Sequence, residues 1–288
     1  MTAEVDGKIL RKLEEWEQRE DRLPGPVELY QQLLAIQVEA KASVTVSRLS
    51  FSEESVVSHL SGGKPLLSFE NMALDWVSVQ RLFRKAIAII VKHSEDASKE
   101  AADLESLASD LAALAKAAQA WYEGSSLQPS AEARGINEEL LTFVLQITLH
   151  PYLAVHSETL IDLVPQESWR RGYCPICGGS PDFAFLTTEL GARWLLCSRC
   201  DAQWLFQRLQ CPYCDNRDQS ALAYFTDDNE LYRLYVCERC RRYLKAIDLR
   251  QTEEEILLPL ERVLTAEMDK QAQETGYEPG PPRASVKG

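Results

Sequence analysis

The fold is decided by residues 174–240: CPICGGSPDFAFLTTELGARWLLCSRC from Cys174 to Cys200, DAQWLFQRLQ from Asp201 to Gln210, and CPYCDNRDQSALAYFTDDNELYRLYVCERC from Cys211 to Cys240. All eight cysteines of the 288-residue chain lie here, in four Cys-x-x-Cys pairs. Two cysteines three apart on a tight turn aim both sulfurs at one point, and two such turns complete a tetrahedral four-sulfur site. The intervals Cys177 to Cys197 and Cys214 to Cys237 each accommodate a β-hairpin that returns the chain to the ion. The ten residues between Cys200 and Cys211 suit a linking strand.

The spacing therefore assigns one metal site to Cys174, Cys177, Cys197 and Cys200, and a second to Cys211, Cys214, Cys237 and Cys240. A crossed arrangement, first pair with third and second with fourth, is the rival. A structural zinc ion contributes about 10–16 kcal/mol to a small knuckle, enough to replace a core these short ribbons lack. Redox chemistry of a thioredoxin kind needs one Cys-x-x-Cys at a helix start after a strand, and four pairs fit that poorly. Four thiolates accept zinc and iron alike, so spacing leaves the metal open.

Working outward, short runs rich in β-formers alternate with the pairs: Phe183–Thr187, Arg193–Leu196, Gln203–Leu209, Leu222–Phe225, Leu231–Val236 and Tyr243–Leu249. Upstream the texture is helical. Apolar residues recur at 3.6-type spacing around Ile9–Trp16, Val27–Val44, Asp75–His93, Ala101–Tyr122 and Leu140–Thr148, with a short helix at Ser52–Leu60. Gly124 is a C-cap and Asn137 an N-cap. Pro151 is expected to kink or interrupt its helix, with a further one over Leu153–Val164. Thr252-Glu253-Glu254-Glu255 reads as a capping box that opens a helix to about Gln273.

The expected fold class is α+β. A helical domain (1–168) precedes two tandem zinc-ribbon-like CxxC modules (169–210 and 211–250), a C-terminal helix (251–275) and a flexible tail (276–288).

Formal net charge is −13, unevenly spread. Residues 170–250 carry 12 Lys and Arg against 10 Asp and Glu, and the remainder 19 against 34. Neither part offers the basic face that nucleic-acid binding needs. The N-terminus lacks the basic and apolar runs of a signal peptide, and the longest apolar run, Ala86–Val91, is too short to span a bilayer. The expectation is a soluble, cytoplasmic chain without membrane insertion, in which thiols stay reduced.

No phosphate loop, Ser/His/Asp order or other catalytic constellation is visible, so no enzyme is expected. His59, His93, His150 and His156 lack ligand spacing. Trp204 and Arg208, at i and i+4 of the linking strand, should share a face. Trp204 packs between ribbons while Arg208 pairs with an acid or a carbonyl, or the face docks a peptide. Tyr243 and Lys245, beyond the last knuckle, extend that candidate partner surface. The basic cluster Arg239, Arg241, Arg242 and Lys245 offsets thiolate charge, grips an acidic partner or simply forms a solvated face.

The ordered set resembles the formate dehydrogenase accessory proteins of the FdhE family. It comprises Cys174-Pro-Ile-Cys177-Gly178, Cys197-Ser-Arg-Cys200, Trp204 through Arg208 to Cys211 and Cys214, and Cys237-Glu-Arg-Cys240 with Tyr243-Leu244-Lys245. The likeness covers about residues 170–280. In one respect the chain departs from a regular rubredoxin-like knuckle. Only the first has Gly after its second cysteine, and Asp201, Asp215 and Arg241 stand in the equivalent places, which predicts less regular turns. The resemblance implies a non-catalytic, cytoplasmic assembly factor that contacts the catalytic subunit of formate dehydrogenase before export. It also implies that the eight cysteines hold iron, with zinc the reading from spacing alone. The alternatives are a zinc-ribbon adaptor for nucleic acid or transcription machinery, and an iron–thiolate redox carrier.

Overall fold

Ile9 and Leu13 fall on one side of helix α1 (Thr2–Glu20) and are fully buried, as their spacing requires. The structure, a computed structural model, describes residues 2–20, 22–45 and 51–281. The helices that follow are α2 (Gly25–Lys41), α3 (Glu53–Ser61), α4 (Trp76–His93), α5 (Glu95–Lys99), α6 (Ala101–Ser109) and α7 (Leu111–Glu123). Then come α8 (Gln128–Glu132), α9 (Glu138–Leu160), α10 (Leu258–Leu264) and α11 (Ala266–Glu274). The strands are β1 (Pro181–Leu186), β2 (Arg193–Cys197), β3 (Gln203–Phe206), β4 (Leu222–Thr226), β5 (Tyr232–Cys237) and β6 (Arg242–Asp248). No helix of the described residues is long and apolar enough to cross a membrane.

The chain divides into two compact units, one from 1–49 and 68–156, the other from 50–67 and 157–288. The first is helical. Asp75 caps α4 through Val77 and Ser78, and Val79, Leu82, Phe83, Ala86, Ile87 and Ile90 form its buried stripe. The alanine-rich stretch expected as one helix is two. Asp110 leaves the helical conformation at φ −108° and caps α7 by accepting from the Ala113 amide at 3.1 Å. Gly124 ends α7 in the left-handed region at φ +75°.

Pro151 does not interrupt α9, which runs unbroken to Leu160, so no separate helix covers Leu153–Val164. Proline has no N–H to donate to the carbonyl four residues earlier, that of Ile147. The buried Gln37 amide of α2 donates to that carbonyl at 2.9 Å instead. A partner 110 positions away thus satisfies the orphaned acceptor.

The second unit is built on one six-stranded sheet of order β3-β2-β1-β6-β5-β4. Two antiparallel three-stranded arrangements meet where β1 and β6 pair in parallel, Phe183 opposite Lys245 and Phe185 opposite Ile247. The two ribbons expected in tandem therefore share one sheet. Phe183, Phe185, Leu196, Ile247 and Leu258 form one apolar cluster, and Leu234, Val236, Tyr243, Ala272 and Tyr277 a second. Leu258 and Ala272 bring α10 and α11 to these clusters.

Three further expectations are corrected here. The C-terminal helix starts at Leu258, not after Thr252: Thr252 Oγ1 accepts from Glu254 N in a local turn, and Pro259 sits in the first turn of α10. Residues 50–67 cluster with the sheet. The Leu66 and Leu67 amides donate to the Pro175 and Ile176 carbonyls of the first knuckle, both at 2.9 Å. The start of the expected tail is pinned, because Tyr243 N donates to Glu278 O and Glu278 N to Arg241 O. Residues 282–288 lie outside the described part.

Candidate metal centre

Two of the four Cys-x-x-Cys pairs sit where a strand runs into a turn. Cys197 ends β2 and Cys237 ends β5, with the second cysteine of each pair in the turn that follows. The first and third pairs lie in turns ahead of β1 and β4. The residue after each second cysteine is left-handed: Gly178 at φ +74°, Asp201 at +56°, Asp215 at +58° and Arg241 at +55°. The turns are thus alike, against the expectation that three would be less regular. Their side chains are held, Asp201 by Arg262 at 3.0 Å, Asp215 by Gln210 at 3.1 Å and Arg241 by Glu238 at 2.6 Å. These bonds offset a backbone conformation that costs a non-glycine residue about 1–2 kcal/mol.

The sulfurs form two groups, Cys174, Cys177, Cys197 and Cys200, and Cys211, Cys214, Cys237 and Cys240, with all ligand atoms of a group within 4.8 Å of one another. The grouping is sequential, not crossed. In the first group Cys174 Sγ lies 3.6 Å from Cys200 Sγ, and Cys177 Sγ 3.5 Å from both Cys197 and Cys200. In the second, Cys211–Cys240 and Cys214–Cys237 are each 3.7 Å apart. A tetrahedron with metal–sulfur bonds of about 2.3 Å has edges of about 3.8 Å. Disulfides would need about 2.05 Å, and all eight thiols are free. The donor set fits two tetrahedral thiophilic ions.

Burial pushes the Cys174 and Cys200 thiols well up. Against its own burial, Cys177 is held well down by the thiols of Cys174, Cys197 and Cys200 around it. In the second group burial likewise raises Cys211 and takes Cys240 up to about 12, while Cys237 is lowered, again against its burial, by the Cys240 and Arg239 amides. Burial thus disfavours the thiolate form at Cys174, Cys200, Cys211 and Cys240. A divalent ion is what lets four thiolates coexist there.

The two clusters differ in enclosure. In the first every cysteine is at most 1% exposed, and amides of Ile176, Gly179 and Arg199 donate to Cys174, Cys177 and Cys197 sulfurs at 3.3–3.4 Å. A Cβ on Gly179 would sit 3.0 Å from Cys197 Sγ, so the packing there needs a glycine. In the second, Cys214 and Cys240 are partly exposed.

Sequence comparison places these residues in a known group. The family described as "FdhE, central domain" matches residues 173–208, which span the first cluster. "Protein FdhE homolog" of Aquifex aeolicus (strain VF5) is 30% identical over 235 residues, 80% of this chain and 77% of that one. This chain belongs to the FdhE family. A second FdhE homolog, from Haemophilus influenzae (strain PittGG), is 32% identical over 75 residues, 25% of each chain. The crystal structure of the FdhE protein from Pseudomonas aeruginosa superposes with TM-score 0.64 over 97% of this chain and 93% of that one, at 20% identity, a likeness of fold.

Of the four residues proposed from sequence as a partner surface in this FdhE-family chain, three are interior. Trp204 is 0% exposed and its indole N–H donates to Arg171 O at 2.9 Å. Tyr243, also buried, donates its hydroxyl to Asp269 at 2.9 Å. Lys245, 3% exposed, contacts Asp269 at 2.5 Å and the Arg262 carbonyl of α10 at 2.9 Å. Tyr243 and Lys245 hold the terminal helices on the sheet, and a cation at the end of α10 suits its dipole. Only Arg208 is exposed. It stands in a turn, because β3 stops at Phe206, and so does not share a strand face with Trp204.

Two contributors had no signal in sequence. Arg193, 3% exposed, donates to the Gln207 and Gln210 carbonyls and fixes the turn before Cys211. Leu66 and Leu67 cover the first knuckle. Partners as far apart as Leu66 and Pro175 cannot be read from local pattern.

Proposed function

We propose that this chain is a non-catalytic, cytoplasmic accessory protein for formate dehydrogenase. It holds two metal ions on its eight cysteines and binds the catalytic subunit of that enzyme before export. Membership of the FdhE family together with two four-sulfur clusters on one sheet carries the reading. The residues do what a scaffold requires: four knuckles converge in pairs, and a divalent ion in each neutralises thiolates that burial disfavours. Iron is the proposed ion by family resemblance, and zinc is the alternative that the ligand set equally accepts. Arg208 remains the exposed member of the proposed contact surface.

Pull-down of the catalytic subunit tests the reading, with Cys211→Ser and Cys237→Ser as controls. Capture by the intact chain and loss in both variants supports it. Undiminished formate dehydrogenase activity in a strain lacking the gene would overturn it.

A further inference from the structure

We infer that the sheet unit carries a second kind of site: a cleft for a small molecule with a diphosphate group, beside the knuckles and separate from both clusters. The cleft has a volume of about 660 Å³, within the usual range for small-molecule sites. Its lining includes Arg170, Arg171, Arg217 and Arg242, drawn from three separate stretches of a chain whose net charge is −13. Of these only Arg242 belongs to the basic cluster legible in the sequence; the fold gathers the others beside it.

These arginines are available to a ligand. Among the described residues Arg217 has no carboxylate partner, and it is exposed. Arg170 meets Glu167 at 2.5 Å, and Arg242 meets Glu278 at 3.5 Å while its Nη1 donates to Pro279 O; those carboxylate side chains are 82% and 72% exposed and remain solvated. Such surface pairs contribute little and yield readily to a better anion. Arg171 lies over the Trp169 ring at 5.5 Å and donates to Ser61 O, which orients it. Asp215 is the one acid in the lining, and its carboxylate accepts from the Gln210 amide.

A second observation is independent of charge. Ser180 and Gln210 also line the cleft, at 2% and 4% exposure, and Ser180 Oγ and Gln210 Oε1 have no hydrogen-bond partner. Buried polar atoms are rarely left so. A hydroxyl and an amide oxygen offer a donor and acceptors to a ligand that carries both oxyanions and hydroxyl or amino groups.

The forked guanidinium matches phosphate oxygens in pairs, and four of them can serve more than one phosphate. The volume likewise exceeds a lone phosphate and leaves room for an organic part against Tyr173 and Tyr213. An organic diphosphate such as a nucleoside diphosphate satisfies charge, size and the unpartnered atoms together.

The test is calorimetric titration of the metal-loaded full chain with ADP, pyrophosphate and orthophosphate at low salt, with metal content measured before and after. No dehydrogenase is present, so the result is independent of the proposed client. ADP and pyrophosphate should bind at least about tenfold more tightly than orthophosphate, with the ions retained. Arg217→Glu should weaken both by about tenfold or more at unchanged melting temperature, and Arg217→Lys should fall between. Absence of diphosphate binding at millimolar concentration, heat that tracks loss of metal, or unchanged affinity in Arg217→Glu would overturn the inference.

Discussion

The first and second cysteine clusters use the same knuckle and the same left-handed residue after it, yet stand in different surroundings. Around Cys174, Cys177, Cys197 and Cys200 the protein closes completely: sulfurs accept amide bonds, Leu66 and Leu67 bond onto the turn, and Arg262 of α10 reaches the Cys197 carbonyl at 2.9 Å. Around Cys211, Cys214, Cys237 and Cys240 enclosure is incomplete, and two of the four cysteines are partly exposed. Identical ligands thus make two kinds of site. Loss of the enclosed ion leaves buried sulfurs and buried backbone without purpose, whereas loss of the open one disturbs a margin.

The largest expected effect breaks this comparison at its ligands. Cys177→Ser should abolish the folded sheet unit, since the contribution of one structural ion is about 10–16 kcal/mol at neutral pH. Cys240→Ser should lose one ion and keep the near-ultraviolet circular dichroism of the unit. Equal collapse, or collapse only in Cys240→Ser, would contradict the ranking. Next in size, Gly179→Ala should lower stability by about 1–3 kcal/mol in denaturant titration, as overpacking against Cys197 Sγ requires. An unchanged midpoint would mean that the first knuckle is looser than its geometry.

The smallest effect separates the clusters from the helical unit. His156 is 0% exposed, with Nδ1 bonded to the Tyr152 carbonyl at 2.8 Å, and burial depresses its pKa below the ordinary value near 6.5. The unfolded chain therefore binds the proton first. Stability from this residue is present above about pH 6.5 and is lost as pH falls from there toward the depressed folded value, by at most about 1.4 kcal/mol per pH unit. His156→Phe should remove that slope from thermal melts between pH 7 and 5. A slope that persists would place the acid sensitivity elsewhere.

Much of the cluster was legible because its signal is local. Two cysteines three apart define a turn, and the hairpin-length intervals define which turns meet. Helices with strong stripes, such as α4, were legible for the same reason. What escaped the sequence depended on distant partners. Gln37 supplies the donor that Pro151 withholds from Ile147, so a proline that reads as a kink or a break lies inside a continuous helix. The parallel pairing of β1 with β6 merges two ribbons that read as beads on a string. Trp204, Tyr243 and Lys245 look like surface recognition groups in a linear motif, and burial against Arg171 and α11 makes them structural. Asp201, Asp215 and Arg241 take the glycine conformation because side-chain partners compensate them.

The most direct measurement is metal stoichiometry with X-ray absorption at the metal edge, followed through chelation while the sheet is monitored by circular dichroism. The account predicts two ions per chain, each with four sulfurs at about 2.3 Å. The ion of the open cluster should leave first, with the sheet intact until the enclosed one follows. A chain that holds no stoichiometric ion and keeps its sheet in strong chelator would contradict it.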